Sequence, residues 1–185
     1  MSELPRARMS ADAFLDWSRT HHGPRCELVA GEIVAMAPER VAHVRLKARV
    51  WRALDDALRA AGSRCEALTD GATVRIDDET VYEPDALVHY SERLSADAIV
   101  VPDPLIVVEV LSPSTAGRDA AAKLEDYFRL SSVVHYLIFK TERPALIHHK
   151  RTAGAIETSI LRQGMVELDP PGIALSLDGI FGNGD

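Results

Sequence analysis

The sequence lacks several features that would assign it to a special class of protein. It has only two cysteines, Cys26 and Cys65, which form neither a C-x-x-C pair nor a zinc-binding pattern, so we expect a reduced, cytoplasmic setting. No apolar run reaches the roughly 18 residues of a membrane-spanning helix, and the N-terminus has no apolar signal-peptide core. We therefore expect no membrane partner.

A basic excess and a Gly-rich phosphate-binding loop are also missing. The formal net charge is −7, which argues against a surface that coats nucleic acid through general positive charge. A negative net charge is still compatible with a local basic cleft or with a phosphate contact bridged by a metal ion. The composition, with 46% hydrophobic and 26% charged residues, is that of an ordinary globular protein.

The length of 185 residues predicts a single domain spanning residues 1–185. Periodicity predicts helices over residues 11–22, 39–60 and 115–130, with a hairpin turn at Ala30-Gly31. Strands are predicted over residues 65–68, 72–76, 81–90, 105–111, 133–139, 145–149, 155–161 and 165–168. Pro84 lies inside one of these strands and indicates an edge, a strand start or a bulge. The order of these helices and strands predicts an α/β (α+β) fold, in which a central mixed β-sheet is flanked by helices. Residues 105–139 are predicted to form a parallel strand–helix–strand unit.

The most informative stretch is LIVVEVL, Leu105 to Leu111. A short apolar run rich in valine is typical of a strand buried on both faces. Glu109 lies in its middle, and an unpaired carboxylate buried there costs several kcal/mol or is neutralised by protonation. We therefore expect a partner for Glu109, which can be a metal ion, a lysine or an arginine.

The predicted helix after this strand carries a polar stripe. Asp119, Lys123 and Tyr127 are spaced four residues apart and share one face. Exposed Asp–Lys pairs are common on helices, so from the helix alone we would interpret Asp119 and Lys123 as a surface pair. The helix begins only a few residues after the buried strand, however, so the stripe can also reach the carboxylate of Glu109.

A second acid, Asp85, opens the apolar segment before the buried strand. If the two strands are neighbours, the carboxylates of Asp85 and Glu109 converge, and two close carboxylates need a cation. Oxygen ligands suit Mg²⁺ or Mn²⁺, and a nearby lysine can orient water or stabilise charge on phosphate. These are suitable parts for metal-assisted phosphodiester hydrolysis.

Five basic residues lie along the helix predicted over residues 39–60. They are Arg40, Arg45, Lys47, Arg49 and Arg52. Runs of charge are usually solvated, so we interpret this set as an exposed helix face.

Together, Pro84-Asp85, E-V-L-S-P-S-T from Glu109 and D-x-x-x-K-x-x-x-Y from Asp119 resemble the PD-(D/E)XK nuclease superfamily. More specifically, the chain resembles the Uma-two (Uma2) family of restriction-type endonucleases over roughly residues 25–140. The resemblance implies a restriction-endonuclease-like core, a DNA substrate and a divalent metal ion.

By that resemblance, Asp85 and Glu109 are metal ligands, and the Val110 carbonyl is a third. The superfamily usually places its lysine two residues after the glutamate, where this chain has Leu111. In the family that this chain resembles, the lysine comes from the following helix instead, and in this sequence that lysine is Lys123.

Glu27 and His43 also match the family and are accessory candidates, together with Asp119 and Tyr127. The alternatives for the first two are a polar strand residue and a surface histidine.

One departure is Lys140, which stands where the family has aspartate.

Three hypotheses follow from these observations. The first is a hydrolase, a metal-dependent endonuclease that uses Asp85, Glu109 and Lys123 and that we expect to be a homodimer. The second is a catalytically inactive relative that binds nucleic acid or protein. The third is a structural salt bridge between Glu109 and Lys123.

Overall fold

The computed structural model describes residues 7–90, 94–111 and 118–182, with the backbone alone for residues 118–120. The helices are α1 (Ala11–Thr20), α2 (Val41–Ala60), α3 (Arg118–Arg129) and α4 (Leu177–Phe181). The strands are β1 (Cys26–Val29), β2 (Glu32–Ala35), β3 (Cys65–Thr69), β4 (Val74–Arg75), β5 (Val81–Tyr82), β6 (Ala86–Tyr90), β7 (Pro104–Leu111), β8 (His135–Lys140), β9 (Ala145–Thr152), β10 (Ala155–Leu161), β11 (Met165–Leu168) and β12 (Ile173–Ser176).

The central sheet has six strands in the order β10-β9-β8-β7-β6-β3. Only the pair β7 and β8 is parallel, and the other neighbours are antiparallel, so the predicted mixed sheet and its parallel unit are confirmed. The apolar run of β7 explains its central position, because all its residues before Leu111 are buried.

Helices cover both faces of this sheet. The face that carries Val108 and Leu137 packs against an apolar stripe of α2, formed by Leu46, Val50, Leu54 and Leu58. The opposite face carries Val107 and Tyr136 and packs against Tyr127 and Phe128 of α3. Side chains alternate along β7, so Glu109 lies on the same face as Val107 and points toward α3.

A second, smaller sheet has four strands in the order β2-β1-β5-β4. The predicted hairpin at Ala30-Gly31 is confirmed, and both turn residues have positive φ, 49° and 82°. The strand predicted over residues 81–90 is wrong as a single element. It is split at Glu83-Pro84-Asp85 into β5 in the small sheet and β6 in the central sheet, because proline cannot donate a ladder hydrogen bond.

Two terminal elements, β12 and α4, were not predicted from the sequence. The predicted start of the third helix at Thr115 lies outside the described residues. Within the described ranges, no helix combines the length and the apolar character needed to cross a bilayer.

Candidate functional site

Glu109 is bound by two side chains of α3. Lys123 Nζ lies 3.0 Å from Glu109 Oε1, and the Tyr127 hydroxyl donates to the same oxygen at 3.1 Å. The four-residue spacing of Lys123 and Tyr127 explains this, since it places both on the helix face that lies over β7. The expected lysine partner of Glu109 is therefore present.

Glu27 of β1 brings the small sheet into the same site. Its Oε1 lies 2.8 Å from Lys123 Nζ and accepts a hydrogen bond from the Glu83 backbone N–H at 3.0 Å. Lys123 Nζ also lies 4.9 Å from the centre of the Tyr82 ring. We call Lys123, Glu27, Glu109 and Tyr127 the Lys123 cluster.

The Lys123 cluster is closed to solvent. The exposed fractions of its charged side chains are 14% for Lys123, 10% for Glu27 and 9% for Glu109. Burial raises the pKa of Glu109 to about 7, since the nearby Lys123 offsets only part of the burial and the charges of Asp85 and Glu27 add to it. Burial alone would lower the pKa of Lys123, but Glu109 and Glu27 outweigh burial and raise it above its ordinary value.

Asp85 lies on the other side of the peptide that joins Glu109 to Val110. The Val110 N–H donates to Asp85 Oδ2 at 2.6 Å, and the Asp85 N–H donates to the Val108 carbonyl at 3.0 Å. The break at Pro84 positions this residue, because the chain enters the central sheet there and turns the Asp85 carboxylate onto the end of β7. Asp85 and Glu109 therefore flank the same peptide, as two neighbouring strands predict.

Lys47 of α2 is the main cationic partner of Asp85. Its Nζ lies 3.1 Å from Asp85 Oδ1, 2.8 Å from Asp70 Oδ2 and 2.7 Å from Glu39 Oε1. Burial alone would lower the pKa of Lys47, but hydrogen bonds to Asp70 and Glu39 outweigh burial and raise it. We call Lys47, Glu39, Asp70 and Asp85 the Lys47 cluster.

The position of Lys47 corrects the sequence interpretation of the basic helix face. The side chain of Lys47 is only 6% exposed, so this residue does not belong to a solvated surface. A signal was present in the sequence, because Lys47 precedes Val50 by three residues and Leu54 by seven, inside the apolar stripe of the helix. Glu39, Asp70 and Arg25 were likewise missed as site residues.

Arg25 and Asp70 connect the Lys47 cluster to the segment around Pro84. Arg25 Nη1 lies 2.9 Å from Asp70 Oδ2, and its Nε donates to Glu83 Oε2 at 2.7 Å. Burial would raise the pKa of Asp70, but Lys47 and Arg25 lower it to about 2. Burial also opposes ionisation of Asp85, yet His43 and Lys47 lower the pKa of that carboxyl.

His43 presents an unused ligand atom. Its Nε2 is buried and has no hydrogen-bond partner, although it lies 3.4 Å from Asp85 Oδ2. One ligand atom each from Glu39, His43 and Asp85 lie within 4.8 Å of one another, so a small adjustment would let one ion contact all three. Two carboxylates and an imidazole form a ligand set that Mn²⁺ accepts more readily than Mg²⁺, which prefers oxygen.

The two clusters together carry excess negative charge. Together with the neighbouring Glu83 and Arg25, the two clusters contain six acidic residues and three fixed cations. The acids are Glu27, Glu39, Asp70, Glu83, Asp85 and Glu109, and the cations are Arg25, Lys47 and Lys123. Carboxylates packed this closely repel unless a cation balances them or a proton neutralises one. The arrangement therefore fits a divalent cation.

The predicted site residues converge as follows. Asp85, Glu109, Val110 and Lys123 meet at one end of the central sheet, and Glu27, His43 and Tyr127 surround them. Asp119 lies outside the described side chains. The hydrogen bond that Val110 makes to Asp85 uses its N–H, which leaves the predicted ligand role of its carbonyl untested.

Comparisons with known proteins place this arrangement in context. A family model described as "Uma2: Putative restriction endonuclease" matches residues 11–178. An uncharacterized protein, slr1290, from Synechocystis sp. is 26% identical over 184 residues, covering 96% of this chain and 93% of that protein.

Among solved structures, the chain is similar to a crystal structure titled as a putative nuclease belonging to DUF820 from Anabaena variabilis. The TM-score is 0.71 at 15% sequence identity, and the match covers 94% of this chain and 97% of that one. At this identity the similarity shows the fold alone. It confirms the predicted α+β class with a mixed central sheet flanked by helices.

Proposed function

The chain belongs to the Uma2 family of restriction-endonuclease-like proteins, and on that premise we propose that it is a metal-dependent endonuclease that hydrolyses phosphodiester bonds of DNA. The observation that carries the proposal is the convergence of Asp85, Glu109 and Lys123 around the peptide of Val110, with more buried negative charge than the lysines neutralise. Sites with this composition favour a divalent cation and, through it, a phosphate group.

Asp85 and Glu109 are the proposed ligands of Mg²⁺ or Mn²⁺, with the Val110 carbonyl as a third. Asp85 suits this role because His43 and Lys47 keep its pKa low, so the carboxylate is ionised at neutral pH. His43 and Glu39 extend the ligand set on the solvent side, where His43 Nε2 has no other partner. A bound divalent ion supplies charge neutralisation on phosphate and lowers the pKa of a bound water.

Lys123 is the proposed catalytic cation. Its ammonium is held by Glu27 on one side and Glu109 on the other, so it is fixed and charged at neutral pH. A fixed ammonium can orient the attacking water or stabilise charge that develops on phosphate. Tyr127 and Glu27 are positioning residues, since they contact Glu109 and Lys123 respectively.

The proposed setting is the cytoplasm. Cys26 and Cys65 are both free thiols, which persist in a reducing compartment. The proposed substrate class follows from the family and from the phosphate chemistry of the site.

A cleavage assay tests this proposal. Purified protein is incubated with supercoiled and single-stranded DNA in the presence of Mg²⁺, Mn²⁺ or EDTA. We expect cleavage with either ion and none with EDTA, and we expect Glu109→Gln and Lys123→Met to lose at least a hundredfold in rate. Asp55→Asn is the matched control, because Asp55 forms its ion pair with Arg59 within α2.

Equal cleavage by Glu109→Gln and the parent protein would contradict the assigned roles. DNA binding with Mn²⁺ but without cleavage, in folded parent protein, would favour the alternative of a nuclease-like fold that acts as a binding module. The family's aspartate position, occupied by Lys140 in this chain, is the observation that favours this second candidate.

A further inference from the structure

The β10 strand forms one edge of the central sheet and is exposed on both faces. Its seven residues, AIETSIL, pair with β9 at every position without a bulge, and the first six are exposed. Ile156 and Ile160 are 43% and 64% exposed. The strand contains no proline, glycine or lysine, which are the usual means of blocking an edge. A long, regular, apolar edge of this kind is a template for a further strand.

The opposite edge of the same sheet is protected. There the Trp51 side chain donates to the backbone carbonyl of Ala67 in β3 at 3.1 Å, and α2 packs against that strand. Along β10, by contrast, the described residues donate no backbone hydrogen bond to its outer side and accept none there. The two edges of the sheet therefore differ, because a helix packs against β3, whereas the described residues place no backbone hydrogen-bond partner on the outer side of β10.

We propose that β10 pairs antiparallel with β10 of a second copy of this chain, about a two-fold axis at Thr158. In this register Thr158 faces Thr158, Ile156 faces Ile160, and Glu157 faces Ser159. Apolar residues meet apolar residues, threonine meets threonine, and the single charge of the strand does not meet its own copy. The strand is thus complementary to itself, which is the requirement of a two-fold interface.

The hairpin between β9 and β10 supports this register. Thr152 and Ala155 close a two-residue turn, and in such a turn the closing residues bond to each other. By alternation Ile156, Thr158 and Ile160 then direct their N–H and C=O groups away from β9. A two-fold axis at Thr158 matches these three residues only with one another, so roughly six backbone hydrogen bonds form across the interface.

The proposed pairing extends the sheet to twelve strands and keeps both α3 faces on the same side, because the two-fold axis is normal to the sheet. Seven strand spacings then separate the two copies of β7, or about 34 Å before twist. The pairing involves few residues, so it buries less than the roughly 1,600 Å² of a standard interface. We therefore expect a dimer that dissociates on dilution in the micromolar range.

The test is sedimentation of the full chain over a concentration series, with paired charge variants. I156K/I160K places lysine opposite lysine twice, and we expect a monomer at every concentration. I156E/I160K removes the same two isoleucines but places glutamate opposite lysine twice, and we expect the dimer to persist. T158P removes the central outward N–H, and we expect at least a tenfold weaker dimer. Thermal melting checks that each variant folds.

A parent protein that stays monomeric up to 200 µM, a concentration chosen to exceed about micromolar affinity, overturns the proposal. A dimer that persists in I156K/I160K overturns it as well, because the interface would then lie elsewhere. Monomers of both charge variants overturn the register at Thr158. The readout is independent of nuclease activity, so failure of the dimer leaves the proposed function standing, and the reverse also holds.

Discussion

The two lysine clusters of the site contain similar groups in different surroundings. Lys123 is held by Glu27 and Glu109, and all three side chains are no more than 14% exposed. Lys47 is itself buried, with 6% of its side chain exposed, but its partners Glu39 and Asp70 are 25% and 31% exposed. Asp70 also has a second cation, Arg25. The Lys123 cluster is therefore dry, and the Lys47 cluster opens to solvent.

This difference explains why burial dominates in one cluster and pairing dominates in the other. In the dry cluster one ammonium serves two carboxylates, and the pKa of Glu109 rises. In the open cluster Lys47 and Arg25 together serve Asp70, and the pKa of Asp70 falls. Proton binding thus has opposite consequences for stability in the two clusters. Four changes test the comparison, in order of decreasing expected effect.

Lys123→Met should be the most destabilising change. It leaves Glu27 and Glu109 buried without their cation, and breaking a buried ion pair costs about 3–5 kcal/mol. Urea unfolding at pH 8, where Glu109 is ionised, measures the loss. A loss below about 1 kcal/mol, the range of an exposed pair, would mean that the cluster is not dry.

Glu109→Gln should change how stability depends on pH. The raised pKa of Glu109 means that its contribution to stability is complete below the unfolded value of 4.5 and is lost as pH rises through about 7. Relative to the parent, the variant should therefore gain on the order of 1–3 kcal/mol between pH 4.5 and pH 8.

Chemical unfolding of both proteins across that pH range gives the difference, with Asp55→Asn as the control that should show none of this gain. A difference that does not vary with pH would contradict the raised pKa.

Lys47→Met should cost less than Lys123→Met, about 1–3 kcal/mol. Asp70 keeps Arg25, Glu39 reaches solvent, and Asp85 keeps the Val110 N–H and the neighbouring His43. The same urea experiment at pH 8 ranks the two lysines directly. A larger loss for Lys47 than for Lys123 would reverse the comparison.

Asp70→Asn should have the smallest effect, about 1 kcal/mol at pH 7, because solvent screens a carboxylate that is 31% exposed. The pKa of Asp70 is lowered to about 2, so its contribution is present above the unfolded value of 3.8 and is lost as pH falls toward 2. The difference between variant and parent should therefore shrink in acid, which acid titration followed by circular dichroism measures. Growth of the difference below pH 4 would contradict the sign.

The sequence predicted the parts of the site that depend on local pattern. Glu109 was identifiable as an acid inside an apolar run, and the four-residue spacing of Lys123 and Tyr127 placed them on one helix face. Glu27 and His43 came from the family resemblance, and both lie at the site.

Lys47 was not recognised as a site residue because two of its three partners, Asp70 and Asp85, come from other segments of the chain. Asp70 directly follows β3 and Asp85 directly precedes β6, and only the folded chain brings them to one ammonium. The split of residues 81–90 into two sheets escaped for a similar reason, since Pro84 marks an interruption but does not say which sheet each half joins.

The central claim is that one divalent ion joins the two clusters through Asp85 and Glu109. Calorimetric titration of the protein with Mn²⁺ tests it most directly, with Asp85→Asn and Glu109→Gln as variants and the exposed Glu157→Gln as control. We predict that each site variant weakens binding at least tenfold and that Glu157→Gln binds as the parent does. Binding that is unchanged in Glu109→Gln, or absent from folded parent protein, would contradict the claim.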